Sequence, residues 1–463
     1  MIDTSSLPPS LRRALDIADA NVGESVRSLS ELVQTPSLTG EEGTAQGFVE
    51  ARCKQTGAVT EKLDIDLVDL FKKYPDVAQF PTHWQHDLIL GYDSLPTYEA
   101  LRDSGLEDVL NYHGRPNVVA TWRGSGGGRS LILNGHIDTV TVEPRTDWTR
   151  DPFGAEIVDG CMYGRGTSDM KGGLVAGIMA MKYLREAGVE LAGDVILQSV
   201  VNEEHSGNGT LDLVRRGITA DAAIVLEPTD NRVFLSHPGG LYWQVTVPGV
   251  PRSPGSRWEG GQQVGVSAIE KLPAVIMAML DMERNVNRTF AETNGAGSPP
   301  MALVFGKVAG GYYETVTAAE AVLRGSAYFP PGMGTVGNMI DNFRTCVHHA
   351  NASDPFFSEH QSRIEFLHHD DPTRQEGPVE VASHMESLIY GEEQARGGEE
   401  GTFACDMRHL VNRANVPTMV FGPGAISQAH KPDEHIKVDD YLQSIRYLIA
   451  CVGTWCNLDK EAV

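Results

Sequence analysis

The N-terminal part of the chain has its apolar residues at helical spacing. They recur three or four positions apart, which predicts an amphipathic helix. The residues concerned are Val26, Leu29, Leu32 and Val33. A second helix is predicted immediately after it, because Thr39 and Glu42 are spaced as a capping box and Gly57 provides a helix stop.

Short, continuous apolar runs then replace the helical pattern. They occur in NVVATWRG, RSLILNGHIDTV, DVILQSVV and AAIVLEP, and each predicts a buried strand. MKGGLVAGIMAMKYLREAG lies among them and predicts a helix that ends at Gly188. Strands that are apolar throughout are typical of a parallel sheet covered on both faces, so this part of the chain is predicted to be α/β.

Residues 240–372 follow a different order, with elements predicted as β-α-β-β-α-β, the split arrangement of a compact α+β domain. Beyond them the α/β texture returns, with a helix at 381–390, the strand PTMVFGPG and a helix at 439–456. We therefore predict a catalytic α/β domain formed by 1–239 and 373–463, into which 240–372 are inserted as a smaller domain.

Residues 60–115 interrupt the α/β pattern and are rich in aromatic, proline and polar residues. They are predicted to be an insertion in the catalytic domain. Two interpretations stay open for this insertion, which includes Trp84: it walls the substrate pocket, or it is a surface elaboration.

The charge composition of the chain disfavours some classes of binding partner. The 463 residues carry 62 acidic against 38 basic side chains, a formal charge of −24, which disfavours nucleic acid and anionic membranes. The start of the chain lacks a signal-peptide core, and no run of about 18 apolar residues occurs, so we expect a cytoplasmic protein that does not span a membrane. Six scattered cysteines without a C-x-x-C pair predict reduced thiols.

Two adjacent carboxylates, Glu203 and Glu204, end the apolar run of DVILQSVV. Consecutive strand residues point to opposite faces, so the two side chains are not expected to share one partner. An exposed loop entry would explain them, because most acidic pairs are solvated. A buried site that pairs them with metal ions is the alternative.

Potential metal ligands recur at the ends of the predicted strands or in the turns beyond them. Ligands bind outside the carboxyl ends of strands in open α/β sheets, so these positions can converge. They are His136 and Asp138 in NGHID, Asp169 in GRGTSDMKGG, Glu203 and Glu204 in NEEHSG, Glu227 in LEPT and His430 in QAHKPDE. Imidazole and carboxylate without thiolate favour a catalytic zinc site, with cobalt or manganese as near equivalents.

The residue types also suggest separate roles. Asp169 is placed to bridge two metal ions, and Asp138 is placed to fix the imidazole of His136 by a hydrogen bond. If Glu204 binds a metal, Glu203 is left to act as general base on metal-bound water, whose pKa the metal lowers to about 7.

The motif blocks resemble those of one zinc metallohydrolase family. It includes acetylornithine deacetylase, succinyl-diaminopimelate desuccinylase, aminoacylase and glutamate carboxypeptidase. GHIDTV, GRGTSDMKGG, NEEHSG, EPT and AHKPDEHI carry the resemblance, in the family's order and over nearly the whole chain. The resemblance implies a zinc-peptidase-like mixed-sheet α/β domain with an inserted α+β lid, which often mediates homodimers.

Carried over by position, the resemblance implies two divalent metal ions. His136, Asp169 and Glu227 would hold one ion, and Asp169, Glu204 and His430 the other. Glu203 would be the general acid/base and Asp138 would orient His136. The family also implies a cis peptide bond between Asp169 and Met170.

The lid departs from the family pattern at two places. The turn PGVPRSPGSRWEGG has Arg252 or Ser253 where a lid histidine is expected, and Arg252 or Arg257 is a candidate replacement donor. A later lid strand has Arg324 four residues before Tyr328, near the place where an arginine would grip a substrate carboxylate.

A late loop, GTFACDMRHL, resembles the family's substrate loop and makes Gly401, Asp406 and Arg408 further candidates for substrate binding. Asp406 and Arg408 could equally form a structural ion pair. Six other histidines, His205, His237, His348, His349, His368 and His369, are predicted to be packing or surface residues.

Three hypotheses follow. The first is a dinuclear metal-dependent hydrolase that cleaves the amide bond of an N-acyl amino acid or dipeptide-like small molecule. The second, motivated by the missing lid histidine, is a relative that binds metal and ligand without hydrolysis or runs another reaction. The third is a metal-free scaffold, which requires the clusters of ligand residues to be accidental.

Overall fold

The computed structural model describes residues 2, 4, 7–75, 77–79, 111–295, 297, 300–377, 379–391 and 398–458. The predicted insertion is described only at its two ends, and Trp84 lies outside the described residues. The helices of the described chain are α1 (Pro9–Ala20), α2 (Val22–Val33), α3 (Gly43–Gln55), α4 (Leu67–Lys73), α5 (Gly172–Glu186), α6 (Asn208–Arg215), α7 (Ala268–Asn294), α8 (Val336–Ala352), α9 (Glu380–Tyr390), α10 (Met407–Ala414) and α11 (Val438–Trp455).

The strands lie where the apolar runs predicted them, with additional short strands between. They are β1 (Val59–Leu63), β2 (Asn117–Trp122), β3 (Leu131–His136), β4 (Glu156–Val158), β5 (Cys161–Tyr163), β6 (Val195–Val200), β7 (Ala222–Val225), β8 (Phe234–His237), β9 (Gly239–Pro248), β10 (Trp258–Glu259), β11 (Gln262–Gln263), β12 (Ala302–Gly310), β13 (Glu320–Phe329), β14 (Arg363–Asp370), β15 (Thr373–Arg374), β16 (Glu399–Glu400), β17 (Thr418–Val420) and β18 (His435–Lys437).

The described chain divides into two compact units. One contains the described residues up to Ser236 together with those from Thr373 onward, and the other contains 237–372. The first unit is built on a mixed sheet in the order β1-β2-β6-β3-β7-β17-β8-β15, with β16 beside β8. Its central strands β6, β3, β7 and β17 are parallel, whereas β1 and β2 are antiparallel additions at one edge.

Both faces of this sheet are covered by helices, as the apolar strand pattern predicts. Ile132 of β3 joins a hydrophobic cluster with Met407 and Leu410 of α10. The next residue, Leu133, points to the other face and lies opposite Gly177 of α5. The α/β class and the mixed sheet are confirmed.

Helix α5 approaches the sheet unusually closely at its start. A Cβ atom on Gly173 would lie 1.9 Å from the backbone oxygen of Leu226, so only glycine allows this contact. The contact brings the turn that precedes α5 against the end of β7. That turn carries Asp169, and Glu227 follows Leu226 directly.

The second unit has the predicted β-α-β-β-α-β order. Its antiparallel sheet runs β12-β13-β9-β14, and α7 and α8 bury its apolar residues in one cluster. Trp243 of β9 is fully buried there between Phe305 and Phe343. The short hairpin β10–β11 is an addition to the predicted pattern.

Two local predictions were wrong. Thr39 and Glu42 do not form a capping box, because the start of α3 has no side-chain cap; the Thr39 hydroxyl donates to Asp138, and Glu42 pairs with Arg115. Glu203 and Glu204 do not lie on a strand either, since β6 ends at Val200 and both residues belong to the following turn.

All six cysteines are unpaired, and five of them are buried. Within the described part of the chain, we find no helix that combines the length and apolar character needed to cross a membrane.

Candidate metal centre

The predicted ligands of the first unit meet at one edge of the sheet. His136 is the last residue of β3, Glu204 lies in the turn after β6, and Glu227 follows β7. Since β3 is parallel to both β6 and β7, these carboxyl ends are adjacent. Asp169 reaches the same place from the turn before α5, and His430 from the loop after β17.

Asp169 lies between the two histidines. Its Oδ1 atom is 3.1 Å from Nε2 of His136, and its Oδ2 atom is 3.3 Å from Nε2 of His430. Each histidine faces a further carboxylate, because Nε2 of His136 is 3.7 Å from Glu227 and Nε2 of His430 is 2.8 Å from Glu204. A single carboxylate therefore separates two sets of donor atoms.

The spacing of these donor atoms suits divalent metal ions. Ligand atoms about 2.0 Å from a tetrahedral zinc ion lie about 3.3 Å apart, which is close to the separations described here. In the described chain, donor atoms within 4.8 Å of one another come from His136, Glu203 and Glu227 and from His136, Asp169 and Glu204. The oxygen and imidazole donors, without thiolate, fit zinc, cobalt or manganese.

The charges of this cluster also favour cations. Although burial opposes a charged imidazole, the carboxylates Glu227 and Asp169 hold the pKa of His136 well above its ordinary value. The Glu204 carboxylate raises the pKa of His430 to about 12. Burial opposes ionisation of Asp169 as well, but hydrogen bonds from both histidines lower its pKa. The excess negative charge of the carboxylates thus favours protonation of both imidazoles, and a metal ion would have to displace these protons to bind.

Glu434 holds the turn that carries Asp169. Its Oε1 atom accepts hydrogen bonds from the backbone nitrogens of Ser168 and Asp169, at 2.9 and 3.1 Å. Its Oε2 atom accepts from Arg165 at 2.7 Å, and both side chains are buried. Because Glu434 is four residues after His430, it ties the loop of one histidine to the turn of the central carboxylate. The peptide bond between Asp169 and Met170 is cis.

Asp138 contacts His136 differently from the sequence-based prediction. Nδ1 of His136 hydrogen-bonds the backbone oxygen of Asp138 at 2.9 Å, while the carboxylate Oδ1 lies 3.7 Å away. The carboxylate instead accepts from the backbone nitrogens of Glu203 and Glu204 and from the hydroxyl of Thr39. The backbone carbonyl therefore orients the imidazole, and the side chain orients the turn.

Glu203 forms neither of the two histidine–Asp169 contacts, but its carboxylate lies within 4.8 Å of donor atoms of His136 and Glu227. Burial raises the pKa of its carboxyl well above the ordinary value, which favours uptake of a proton. Its Oε1 atom lies 3.7 Å from the Arg408 guanidinium. Asp406 accepts a hydrogen bond from Thr210 at 2.5 Å and lies 4.0 Å from Arg408, so this loop reaches the general-base candidate.

The other candidates for substrate binding have local hydrogen-bond partners. Gly401 donates its backbone N–H to Ser236 beside β8. Arg252 and Arg324 belong to the second unit, where the Arg252 side chain donates to Pro251 and Arg324 donates to Gln244 at 2.6 Å. Their roles toward a substrate stay predictions.

Sequence analysis missed several buried groups around the cluster. Thr39 and Glu434 bind the residues that position it, and Lys171 donates to the backbone oxygens of Leu32 and Thr35. A signal existed for Glu434, which lies inside the block AHKPDEHI without an assigned role. Lys171 had the same signal, since it lies inside the block GRGTSDMKGG without an assigned role, whereas Thr39 lies outside the quoted blocks and its partner Asp138 is distant in sequence.

Comparison with known proteins agrees with this geometry. Residues 132–454 match the family model described as Peptidase family M20/M25/M40. N-formyl-4-amino-5-aminomethyl-2-methylpyrimidine deformylase of Halalkalibacterium halodurans is 32% identical over 372 residues, which cover 75% of this chain and 85% of the relative. A probable succinyl-diaminopimelate desuccinylase of Staphylococcus epidermidis is 25% identical over 81% of this chain and 95% of its own length.

Solved structures show the same fold. The di-peptidase Dug1p of Saccharomyces cerevisiae superposes with a TM-score of 0.71 at 14% identity, covering 97% of this chain and 99% of that one.

Proposed function

This chain belongs to peptidase family M20/M25/M40, and we propose that it hydrolyses the amide bond of a small N-acyl compound. Metal-dependent amide hydrolysis is the activity of the protein; the identity of the compound is the proposal. One observation supports hydrolysis at this site: Asp169 lies between His136 and His430, and the half-buried Glu203 carboxylate lies beside this cluster.

We infer that two divalent metal ions, zinc foremost, bind this cluster. His136, Asp169 and Glu227 would hold one, and Asp169, Glu204 and His430 the other, which the distances among their donor atoms support. Bound divalent ions polarise a carbonyl group and acidify water.

Glu203 would handle the protons of the reaction. It takes a proton from the attacking water and delivers it to the nitrogen as the C–N bond breaks. Its burial suits this role, because a raised pKa brings the carboxyl nearer to neutral pH. Arg408, 3.7 Å from Glu203, would bind an oxygen of the substrate and limit how far the glutamate can turn.

A short acyl group is the first candidate within this class. Among the matches that cover three quarters of this chain or more, the deformylase is 32% identical and the probable desuccinylase of Staphylococcus epidermidis 25%. The printed name of the deformylase gives a formyl group on an aminomethylpyrimidine. We propose that this chain likewise removes formyl or another small acyl group from an amine.

A substrate panel tests the proposal. Zinc- or cobalt-loaded protein is assayed on the N-formyl aminomethylpyrimidine, N-formyl and N-acetyl amino acids, N-succinyl-diaminopimelate and dipeptides. We expect the highest kcat/KM on a formyl or acetyl amide. Preference for the succinyl compound or a dipeptide would reject the short-acyl assignment while leaving amide hydrolysis in place.

A non-hydrolytic relative is the second candidate, because Arg252 or Ser253 stands where a lid histidine is expected. Uniform inactivity of protein with both metal ions bound would favour it. Less than one zinc, cobalt or manganese ion per chain after metal-replete purification would instead support the metal-free scaffold.

We further propose that the chain forms a homodimer through its second unit. Strand β12 ends the sheet order of that unit, and its Val304 and Val308 side chains are 50% and 63% exposed. Such an edge favours pairing with another chain. We expect light scattering to give twice the chain mass for the wild type and a lower mass for Val308→Lys. A monomeric wild type would contradict the proposal. The cytoplasmic location stays a prediction.

A further inference from the structure

A buried polar network contacts both ends of the turn that contains Glu203 and Glu204. Its centre is Asn202, which directly precedes Glu203 and has a left-handed backbone with φ of 64°. Asparagine tolerates this conformation better than most residues. The Asn202 side chain is fully buried, and its Oδ1 atom accepts from the hydroxyls of Tyr112 at 2.7 Å and Ser206 at 2.5 Å.

Tyr112 connects Asn202 to the far end of the same turn. Its hydroxyl donates to Asn202 and accepts a hydrogen bond from Nδ2 of Asn208 at 2.9 Å. Asn208 is the first residue of α6, so one hydroxyl spans both ends of the segment that contains the two glutamates. Only 4% of Tyr112 is exposed, and hydrogen bonds in such a dry environment are strong.

The Tyr112 ring is itself held in place. The Arg115 guanidinium lies over it, 4.5 Å from the ring centre, and forms a buried ion pair with Glu42 at 3.1 Å. Asn208 also exchanges two hydrogen bonds with the backbone of Gln79. These contacts hold the tyrosine ring independently of its hydrogen bonds to the turn. A residue that positions a functional site needs such rigid support of its own.

We propose that Tyr112 is a positioning residue for Glu203 and Glu204. Asp138 holds the backbone of the turn through its two N–H groups, and Tyr112 holds the corner through Asn202. Loss of the hydroxyl would remove the buried hydrogen bond that joins the Asn202 side chain to Tyr112 and allow both carboxylates to shift. A shift of Glu204 weakens a metal ligand, and a shift of Glu203 displaces the general base. The catalytic part of this inference rests on the proposed hydrolysis, whereas the metal-binding part rests only on the proposed role of Glu204 as a metal ligand.

Tyr112→Phe tests the proposal with Tyr441→Phe as the matched control. Tyr441 is also buried, and its hydroxyl donates to Ser25 at 2.9 Å, between helices α11 and α2. Both variants lose one buried hydroxyl and should lose similar thermal stability. We expect only Tyr112→Phe to weaken Co²⁺ binding to the metal-free protein, by about 10- to 100-fold, the range for groups that orient metal ligands.

Kinetics provide the second measurement. Tyr112→Phe is expected to lower kcat by about the same factor while KM stays within about twofold, since the substrate contacts are unchanged. Equal Co²⁺ affinity and equal kcat in the two variants would overturn the proposal. If the wild type hydrolyses none of the panel compounds, the proposed function fails, but the Co²⁺ titration still decides the positioning role.

A second variant covers the case in which Tyr112→Phe does not fold. Asn202→Gly keeps the left-handed backbone and removes the side chain that Tyr112 holds. It should weaken Co²⁺ binding in the same way. Where Tyr112→Phe does fold, combining the two substitutions should add little, because both break the same connection. Additive effects of the two substitutions, or normal Co²⁺ binding in Asn202→Gly, would contradict the inference.

Discussion

The Oδ1 atom of Asp138 lies 3.0 Å from the backbone nitrogen of Glu203 and accepts its hydrogen bond. The other carboxylate oxygen accepts from the next backbone nitrogen, that of Glu204, at 3.2 Å. A fully buried acidic side chain is thereby paired with two N–H groups instead of a cation. Asp138 therefore sets the position of the proposed general base and of a proposed metal ligand together.

Asp138→Asn should impair the reaction without unfolding the protein. An amide offers one acceptor oxygen, so its NH₂ group would face a backbone N–H of the turn or the Thr39 hydroxyl. We expect kcat to fall by about 10- to 100-fold. Circular dichroism controls for folding, and the exposed-site variant Asp147→Asn controls for loss of an aspartate; wild-type kcat in Asp138→Asn would contradict the role.

Glu203→Gln should abolish most turnover while metal remains bound. Glutamine cannot take the proton of the attacking water, and general-base catalysis typically contributes about 10²- to 10⁴-fold. The measurements are kcat and metal content per chain, with Glu61→Gln on the exposed face of β1 as control. Activity near the wild-type level would exclude Glu203 as the base.

Metal binding should release protons. The Glu204 carboxylate raises the pKa of His430 to about 12, so this imidazole is charged at pH 7 in the metal-free protein and must become neutral to bind an ion. Affinity for Co²⁺ or Zn²⁺ should therefore increase with pH. Calorimetric titrations in buffers of different ionisation enthalpy measure the protons released, and heats that do not depend on the buffer would refute this expectation.

Glu434→Gln should weaken both folding and metal binding. The substitution leaves Arg165 buried without its counter-charge, which typically costs about 3–5 kcal/mol. It also disturbs the acceptor of the Ser168 and Asp169 backbone nitrogens. Asp212→Asn is the matched control, because Asp212 is fully buried and pairs with Arg215 away from the metal cluster.

Only Glu434→Gln is expected to lower Co²⁺ affinity, again by about 10- to 100-fold. Asp212→Asn should lose stability with normal Co²⁺ binding. Loss of stability without loss of affinity in Glu434→Gln would reduce Glu434 to a purely structural residue.

His384 should make stability depend on pH far from the metal cluster. Burial between α9 and α11 lowers the pKa of His384, whose Nε2 lies 2.6 Å from the Thr454 hydroxyl. As pH falls through about 6.5, His384 takes up a proton in the unfolded chain but stays neutral in the folded protein. The neutral, buried His384 therefore lets the protein keep its stability above that pH, and stability is lost as pH falls below it. Thermal unfolding between pH 7.5 and 5.5 should show a smaller decline in His384→Gln; an identical decline would contradict the assignment.

Much of the fold was predictable because the sheet is buried on both faces. The apolar runs of β3, β6 and β7 and the long helices of the second unit are local patterns that periodicity detects. The convergence of His136, Glu204 and Glu227 was also predictable, since the parallel strands β3, β6 and β7 bring their carboxyl ends to one edge.

The turns were less predictable. Thr39 has the right spacing for a cap but donates to Asp138, because the fold places that buried carboxylate within reach. Asp138 was expected to bind the His136 imidazole through its side chain, yet the nearer acceptor is its own backbone oxygen. In both cases more than one chemically suitable hydrogen-bond partner existed, and the local sequence pattern did not indicate which one the fold brings within reach.

The amino-acid sequence by itself determined the elements, their order and the residue types gathered at the edge of the sheet. Tertiary structure alone decided which atom each buried polar group contacts. The Asp138 carboxylate accepts a hydrogen bond from a backbone nitrogen 65 residues away in sequence. The Glu434 carboxylate accepts from backbone nitrogens 265 and 266 residues away. The physical reason is that hydrophobic patterning depends on neighbours along the chain, whereas a buried hydrogen bond depends on which distant groups lose water together.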